Sequence, residues 1–303
     1  MEDERGEGGL TTALESIFGT LAAPEATVNL TDFGIERLSP SSIEGFIKCP
    51  EQWRQERIAK APRFSTGEQL FGSAFHRAAE HNYRQKIVSH EDLAEKEMRD
   101  LTGDSFNEVL EETKGESEIR WYDSEPGEVQ AGVITAMVGL DGAPGYLQVL
   151  APAVQPVAVE RWLEVPTVLG VPLVGKLDVE TETVIRDLKT GKKRKTQADL
   201  DSNIQATAYL YMRDAEQNPA QEFGWHVAVR TIKPSQQELS TSRTVGEFAA
   251  FERLLLVTAN TIADYMGRYG PEGPWPGTSP LAWWCASSQC SFWASCAWRG
   301  GAK

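Results

Sequence analysis

Alternation of apolar and polar positions marks a β-hairpin in the middle of the chain. Val171 to Val179 and Val184 to Thr190 are rich in β-branched and aliphatic residues, and the polar run Glu180-Thr181-Glu182-Thr183 reads as the turn between them. Val157 to Val165 reads as a further strand. Phe223, Trp225, Val227 and Val229 alternate with Gly224, His226, Ala228 and Arg230, the pattern of a half-buried strand with His226 facing out. Helical patterns fill most of the rest. Ser39 is placed to cap a helix with Pro40 at its first position and Ile43, Phe46 and Ile47 on its apolar face, and Cys49-Pro50 interrupts it before a second piece carrying Trp53 and Ile58. Further helices are predicted from Phe71 to about Ile87, from Glu91 to about Glu118, within Val129 to Leu150, along the stripe Leu200, Ile204, Ala208, Tyr211 and Ala215, and from Phe248 to Tyr269. Residues 1–35 are Gly- and Glu-rich and read as a mobile extension with one short helix around Leu14 to Leu21.

Composition changes the picture little, and charge changes it more. Hydrophobic residues at 41% and charged residues at 24% describe a globular protein with material for a core. No run of eighteen apolar residues occurs, so no membrane span is expected. The acidic start MEDERGEGG lacks the basic beginning and apolar centre of a secretory signal, so a cytoplasmic location is expected. A net charge of −14 argues against a protein that coats nucleic acid without specificity. Lys189, Lys192, Lys193, Arg194 and Lys195 form a local basic strip, which also reads as a solvated loop after a strand.

The hairpin carries the candidate chemistry. Asp187 and Lys189 are two residues apart on a strand and leave the same face, and folding the hairpin can bring Asp178 opposite them. Two carboxylates so placed repel unless one is protonated or a cation sits between them, and a hard divalent ion such as Mg²⁺ or Mn²⁺ favours oxygen ligands. Lys189, being charged, would face a reacting phosphate instead of a metal. The same residues also read as exposed ion pairs on a surface hairpin. His76 and Glu80 share one helix face, Gln205 and Tyr209 share another, and His81 and His90 are expected to face solvent. Cys285, Cys290 and Cys296 form C-x4-C-x5-C, and Cys49 stands alone near the start. In a cytosolic chain this reads as metal binding before disulfides, although a structural zinc more often uses paired short knuckles.

In chain order, Cys49, G-x-x-x-H-x-x-x-E ending at Glu80, G-x-x-D ending at Asp178, D-L-K-T-G from Asp187, Q-x-x-x-Y ending at Tyr209 and the cysteine trio resemble the PD-(D/E)XK nucleases. The resemblance is to the RecB-like branch with the CRISPR-associated iron–sulfur exonucleases, over roughly residues 38–298. It implies an α/β fold, a restriction-endonuclease-like core whose central mixed sheet is flanked by helices, with a C-terminal Fe–S cluster module. A single domain would span 36–303, with a helical insertion over the active site at 90–155 and a cysteine-rich segment at 280–303 closed by Cys49. The resemblance implies Mg²⁺ or Mn²⁺ on His76, Asp178, Asp187 and the Leu188 carbonyl, Lys189 as a catalytic cation, and Glu80, Gln205 and Tyr209 in support. Glu160 falls near the hairpin in such enzymes, and no catalytic role is assigned to it. A [4Fe–4S] cluster is implied on Cys49, Cys285, Cys290 and Cys296, although the family trio is C-x2-C-x5-C, so the longer first gap leaves the cluster type open. The function implied is a metal-dependent DNA exonuclease acting on single strands or ends in recombination, replication or end processing. A catalytically silent DNA-end-binding Fe–S module and a restriction-type endonuclease are the alternatives. No P-loop is present, so a motor would have to be a helicase or recombinase partner.

Overall fold

One mixed sheet of five strands organises the molecule, with the strands side by side in chain order. The computed structural model describes residues 29–299 apart from Asp123, Val168 and Ile232, so the short helix expected around Leu14 lies outside the described residues. Two short strands, β1 (Ser65–Thr66) and β2 (Ile119–Arg120), pair in parallel on their own. The main sheet consists of β3 (Ala158–Val165), β4 (Leu173–Glu180), β5 (Val184–Gly191), β6 (Glu222–Val229) and β7 (Ser235–Thr241). β3–β4, β4–β5 and β6–β7 are antiparallel, and β5–β6 is parallel. A parallel pair needs a crossover. Here α7 (Gln197–Asp201) and α8 (Ile204–Ala215) supply it.

Each face of the sheet buries its own apolar core. On one face Leu163, Leu177, Ile185 and Phe223 pack with residues of α1 (Pro40–Lys48), α8 and α9 (Val245–Tyr269). On the other, Val159, Val179, Leu188 and Ala228 pack with α3 (Gly67–Ser89), α4 (Glu95–Glu116) and α5 (Pro126–Val138). Leu30 and Ile35 are buried in the first core, so the chain joins the fold ahead of position 36, where the sequence places its start. Ile47, expected on the apolar face of α1, is 50% exposed.

The helix starts follow the local chemistry. Ser39 accepts from the Ser42 N–H at the head of α1, and Thr66 with Gln69 forms a reciprocal capping box on α3. α4 begins later than Glu91 because Asp92 is engaged elsewhere. Its carboxylate takes the Lys86 ammonium and the Asn82 amide, both at 2.7 Å.

β6 departs from expectation. It lies between β5 and β7 with helices over both faces, so Gly224, His226 and Ala228 are as buried as their neighbours. His226, instead of facing solvent, is 1% exposed. Its Nδ1 lies 3.0 Å from the Tyr146 hydroxyl, which is 2.7 Å from that of Tyr83. Its Nε2 lies 3.6 Å from Glu238, which also pairs with Arg186. Burial first, and then the Arg186 guanidinium, push His226 down to about 4.

An unfolded histidine titrates near pH ~6.5. Between that value and about 4 the unfolded chain therefore binds more protons than the folded one, and stability falls as pH falls through the window. Denaturant melts at pH 7.5 and 5 should differ by about 2 kcal/mol on this account. His226→Gln should remove that part of the difference, and an unchanged pH slope in the variant would contradict it.

Candidate active site

β4 and β5 part company two pairs after their turn. Their ladder holds only Val179 opposite Arg186 and Glu180 opposite Ile185, whereas β5 pairs with β6 along its whole length. The buried N–H groups freed on β5 still need acceptors. One is satisfied by a side chain, because Asp178 Oδ2 accepts from the Leu188 N–H at 2.8 Å. On the other side, β3 and β4 pair on either side of Glu160 and Asp178 but not at them. Glu160 has φ +55°, an unfavourable backbone for a residue with a side chain, of the kind that gathers at functional sites. The inward faces switch there. Val179 and Leu177 are two residues apart yet lie in different cores.

The opening collects the charged side chains. His76, from α3, places Nδ1 3.4 Å from Asp178 Oδ2. One ligand atom each of His76, Glu160 and Asp178 lie within 4.8 Å of one another. Asp187 is nearly inaccessible, and its Oδ2 stands 2.6 Å from the Lys189 ammonium. That buried oxygen is held by the ammonium, with no further hydrogen-bond partner among the described residues. Glu160 also pairs with Lys176. Glu80, one turn after His76, holds Arg84 at 2.7 Å and adds negative charge beside Glu160.

These groups set one another's protonation. Burial, and then the Asp178 charge, push Asp187 up to about 6, against the pull of Lys189. Burial also opposes ionisation of Asp178, but His76, the Leu188 N–H and Lys189 outweigh it and hold Asp178 below the usual carboxylate range. Burial would deprotonate His76 and Lys189, yet the two aspartates outweigh it and keep both above their ordinary values. The site is two acids of different strength facing an imidazole and an ammonium.

Lys189 is aimed by α8. Its ammonium donates to Gln205 Oε1 at 3.0 Å, Gln205 Nε2 lies 3.3 Å from the Tyr209 hydroxyl, and that hydroxyl donates to the Lys176 carbonyl of β4 at 3.0 Å. Helical spacing thus ties both strands of the opening to one helix face. Glu44 of α1 stands behind this chain. Burial raises its carboxyl, against the Gln205 backbone N–H and the Lys189 charge.

The sequence model of the PD-(D/E)XK nuclease superfamily matches residues 37–297. The chain belongs to this superfamily. Among solved structures the nuclease is similar to a proposed exonuclease from Eubacterium rectale, with 11% identity, a TM-score of 0.49, and coverage of 76% of this chain and 84% of that one. No curated protein matches it.

The structure brings His76, Glu80, Asp178, Asp187, Lys189, Gln205 and Tyr209 together around this one opening, with Leu188 contributing a backbone N–H. Two neighbours were not singled out. Glu160, set aside in the sequence, stands among the closest three candidate ligands; a charge in mid-strand was its one signal. Glu44 gave no signal, since its place depends on how α1 meets α8. Of the basic strip, Lys192 to Lys195 are exposed and separate from Lys189, and Lys192 pairs with Glu68.

The nuclease brings its four cysteines around one small apolar pocket with Trp284, Phe292 and Trp298. Cys49 ends α1 and precedes α2 (Pro50–Arg57). The C-terminal tail is also tied down by protein bonds: buried Glu51 accepts from the Trp275 N–H and from Arg54, and Arg54 reaches the Pro271 carbonyl. Burial pushes the Cys290 thiol up to about 11 and raises that of Cys296.

A Cβ on Gly175 would sit 2.5 Å from Tyr209 Cε1. Gly175→Ala should therefore push the ring off the β4 carbonyl, destabilise the fold by about 1–3 kcal/mol, and slow cleavage by about ten- to hundredfold as Lys189 loses its aim. Tyr209→Phe, which keeps the ring, should cost activity with a smaller loss of melting temperature. Equal melting and equal rates for Gly175→Ala and the parent would contradict the assignment.

Proposed function

We propose that this nuclease is a divalent-metal-dependent DNA exonuclease of the RecB-like iron–sulfur type, acting on single strands or strand ends. One observation carries the reading: His76, Glu160 and Asp178 offer ligand atoms within 4.8 Å, beside the buried ion pair of Asp187 and Lys189. The donor set fits a hard cation. It is mostly carboxylate oxygen with one imidazole, which suits Mg²⁺ or Mn²⁺. His76, Asp178 and Asp187 would hold the ion, with Glu160 at its edge and the Leu188 carbonyl as the further ligand the resemblance implies. A cation bound there supplies water activation and charge neutralisation at a phosphodiester.

The chain's own residues do the rest. Lys189, fixed by Gln205, presents an ammonium where negative charge grows on the phosphate and offers a donor to the attacking oxygen. Tyr209 holds that arm against β4. Glu80 binds Arg84 and supports the Glu160 side of the opening. No described helix is long and apolar enough to cross a membrane. The enzyme would serve recombination, replication or end processing in the cytoplasm, with any unwinding left to a helicase or recombinase partner.

Cys49, Cys285, Cys290 and Cys296 would hold a [4Fe–4S] cluster. Thiols that burial pushes up become good ligands only when a metal supplies positive charge. The four line one small apolar pocket, where a single metal centre could be shared among them.

Asp187→Ala and Lys189→Ala should each abolish metal-dependent cleavage of end-labelled single strands while the protein stays folded. Chelation should stop the wild type, and Mg²⁺ or Mn²⁺ should restore it. Full activity in either purified variant would refute the site, and nicking of closed circles would turn the reading to an endonuclease. Separately, Cys290→Ser should lose iron and visible absorption on anaerobic purification and melt at lower temperature. Zinc in place of iron in the wild type would reassign the cluster.

A further inference from the structure

A large aromatic ring lies in the open beside the catalytic gap. Trp162 on edge strand β3 is 50% exposed and belongs to neither core. Lys176 is its cross-strand partner, so the two side chains stand together on one face. The same Lys176 ammonium pairs with Glu160, one of the three closest candidate metal ligands. Arg37 places its guanidinium 5.8 Å from the Trp162 ring centroid. An exposed indole flanked by two cations is thus joined, through a single lysine, to the edge of the active site.

We propose that Trp162, with Arg37 and Lys176, is a stacking platform for one unpaired nucleobase of the strand being cut, next to the scissile phosphate. The proposal rests on the nuclease reading above and narrows its substrate to single-stranded DNA at this position. A base inside a duplex has its faces covered by its neighbours, whereas an unpaired base offers a face to the indole and keeps its phosphates near the two cations. The platform binds without reading sequence, since every base has such a face. Stacking on a base that does not itself react stabilises bound substrate and transition state alike, so its loss falls mainly on KM.

The test uses the full chain with Mg²⁺ or Mn²⁺ and single strands of thymidylate in which one abasic position is moved stepwise along the strand. The wild type should show one position at which base removal lowers kcat/KM about tenfold, mainly through KM. Trp162→Ala should be about tenfold weaker on the intact strand and indifferent to that abasic position, with an unchanged melting temperature. Trp162→Phe, which keeps a smaller ring, should recover part of the loss. If Trp162→Ala cuts the intact strand as the wild type does, or stays sensitive to the same abasic position, the platform is overturned and the nuclease reading stands. Cutting of duplex DNA alone also overturns the platform. If the wild type cuts neither form of DNA, the nuclease reading itself falls and the platform with it.

Discussion

A hydrogen bond from the Leu188 backbone to the Asp178 carboxylate stands where a strand-to-strand bond would otherwise run. β5 is committed to β6 along its length and cannot also follow β4, so the sheet must open between Asp178 and Asp187. An opening in a buried sheet leaves backbone groups without partners, a cost comparable to lost hydrogen bonds. Filling one of those places with an acid solves the backbone problem and puts a carboxylate at the mouth of the gap. The strained backbone of Glu160 and the switch of apolar faces at the same level belong to this parting.

Charge then decides what the gap can hold. Asp178 and Asp187 are too close for both to ionise freely, and they divide: His76 and the Leu188 N–H keep one ionised, while burial leaves the other reluctant. Lys189 offsets only part of this, since its ammonium is shared with Gln205. The result is a buried pocket of opposed groups, each aspartate set against an imidazole or an ammonium. The acidic surface elsewhere does not conflict with a nucleic-acid substrate, because exposed charge beyond about 10 Å is largely screened at ordinary salt.

The thiol site and the gap are distinct, but one helix touches both. α1 carries Glu44 toward Gln205 and Lys189, and it ends at Cys49. The C-terminal tail is bound to the next helix, α2, through Trp275 and the Glu51–Arg54 pair, and brings its cysteines to the pocket that Cys49 also lines. Fixing the tail therefore fixes the direction of α1, and with it the surface against which the lysine arm is set.

Much of this is legible in the sequence. The turn at Glu180 to Thr183 follows from composition. Asp187 and Lys189 share a face because a strand has a period of two, and His76 with Glu80, and Gln205 with Tyr209, share theirs because a helix returns every 3.6 residues. These are local rules, and the chain states them residue by residue. Others needed the tertiary structure. His226 reads as surface when its strand is taken alone, and is buried because β6 has neighbours on both edges and helices on both faces. Glu160 reads as one more strand carboxylate, and becomes a candidate ligand only through its place opposite Asp178 and a backbone angle that no local pattern announces. Trp162 bears no local mark, and stands half in solvent on edge strand β3. Periodicity sets which way a side chain points along its own element, but which element lies across from it depends on contacts distant in sequence.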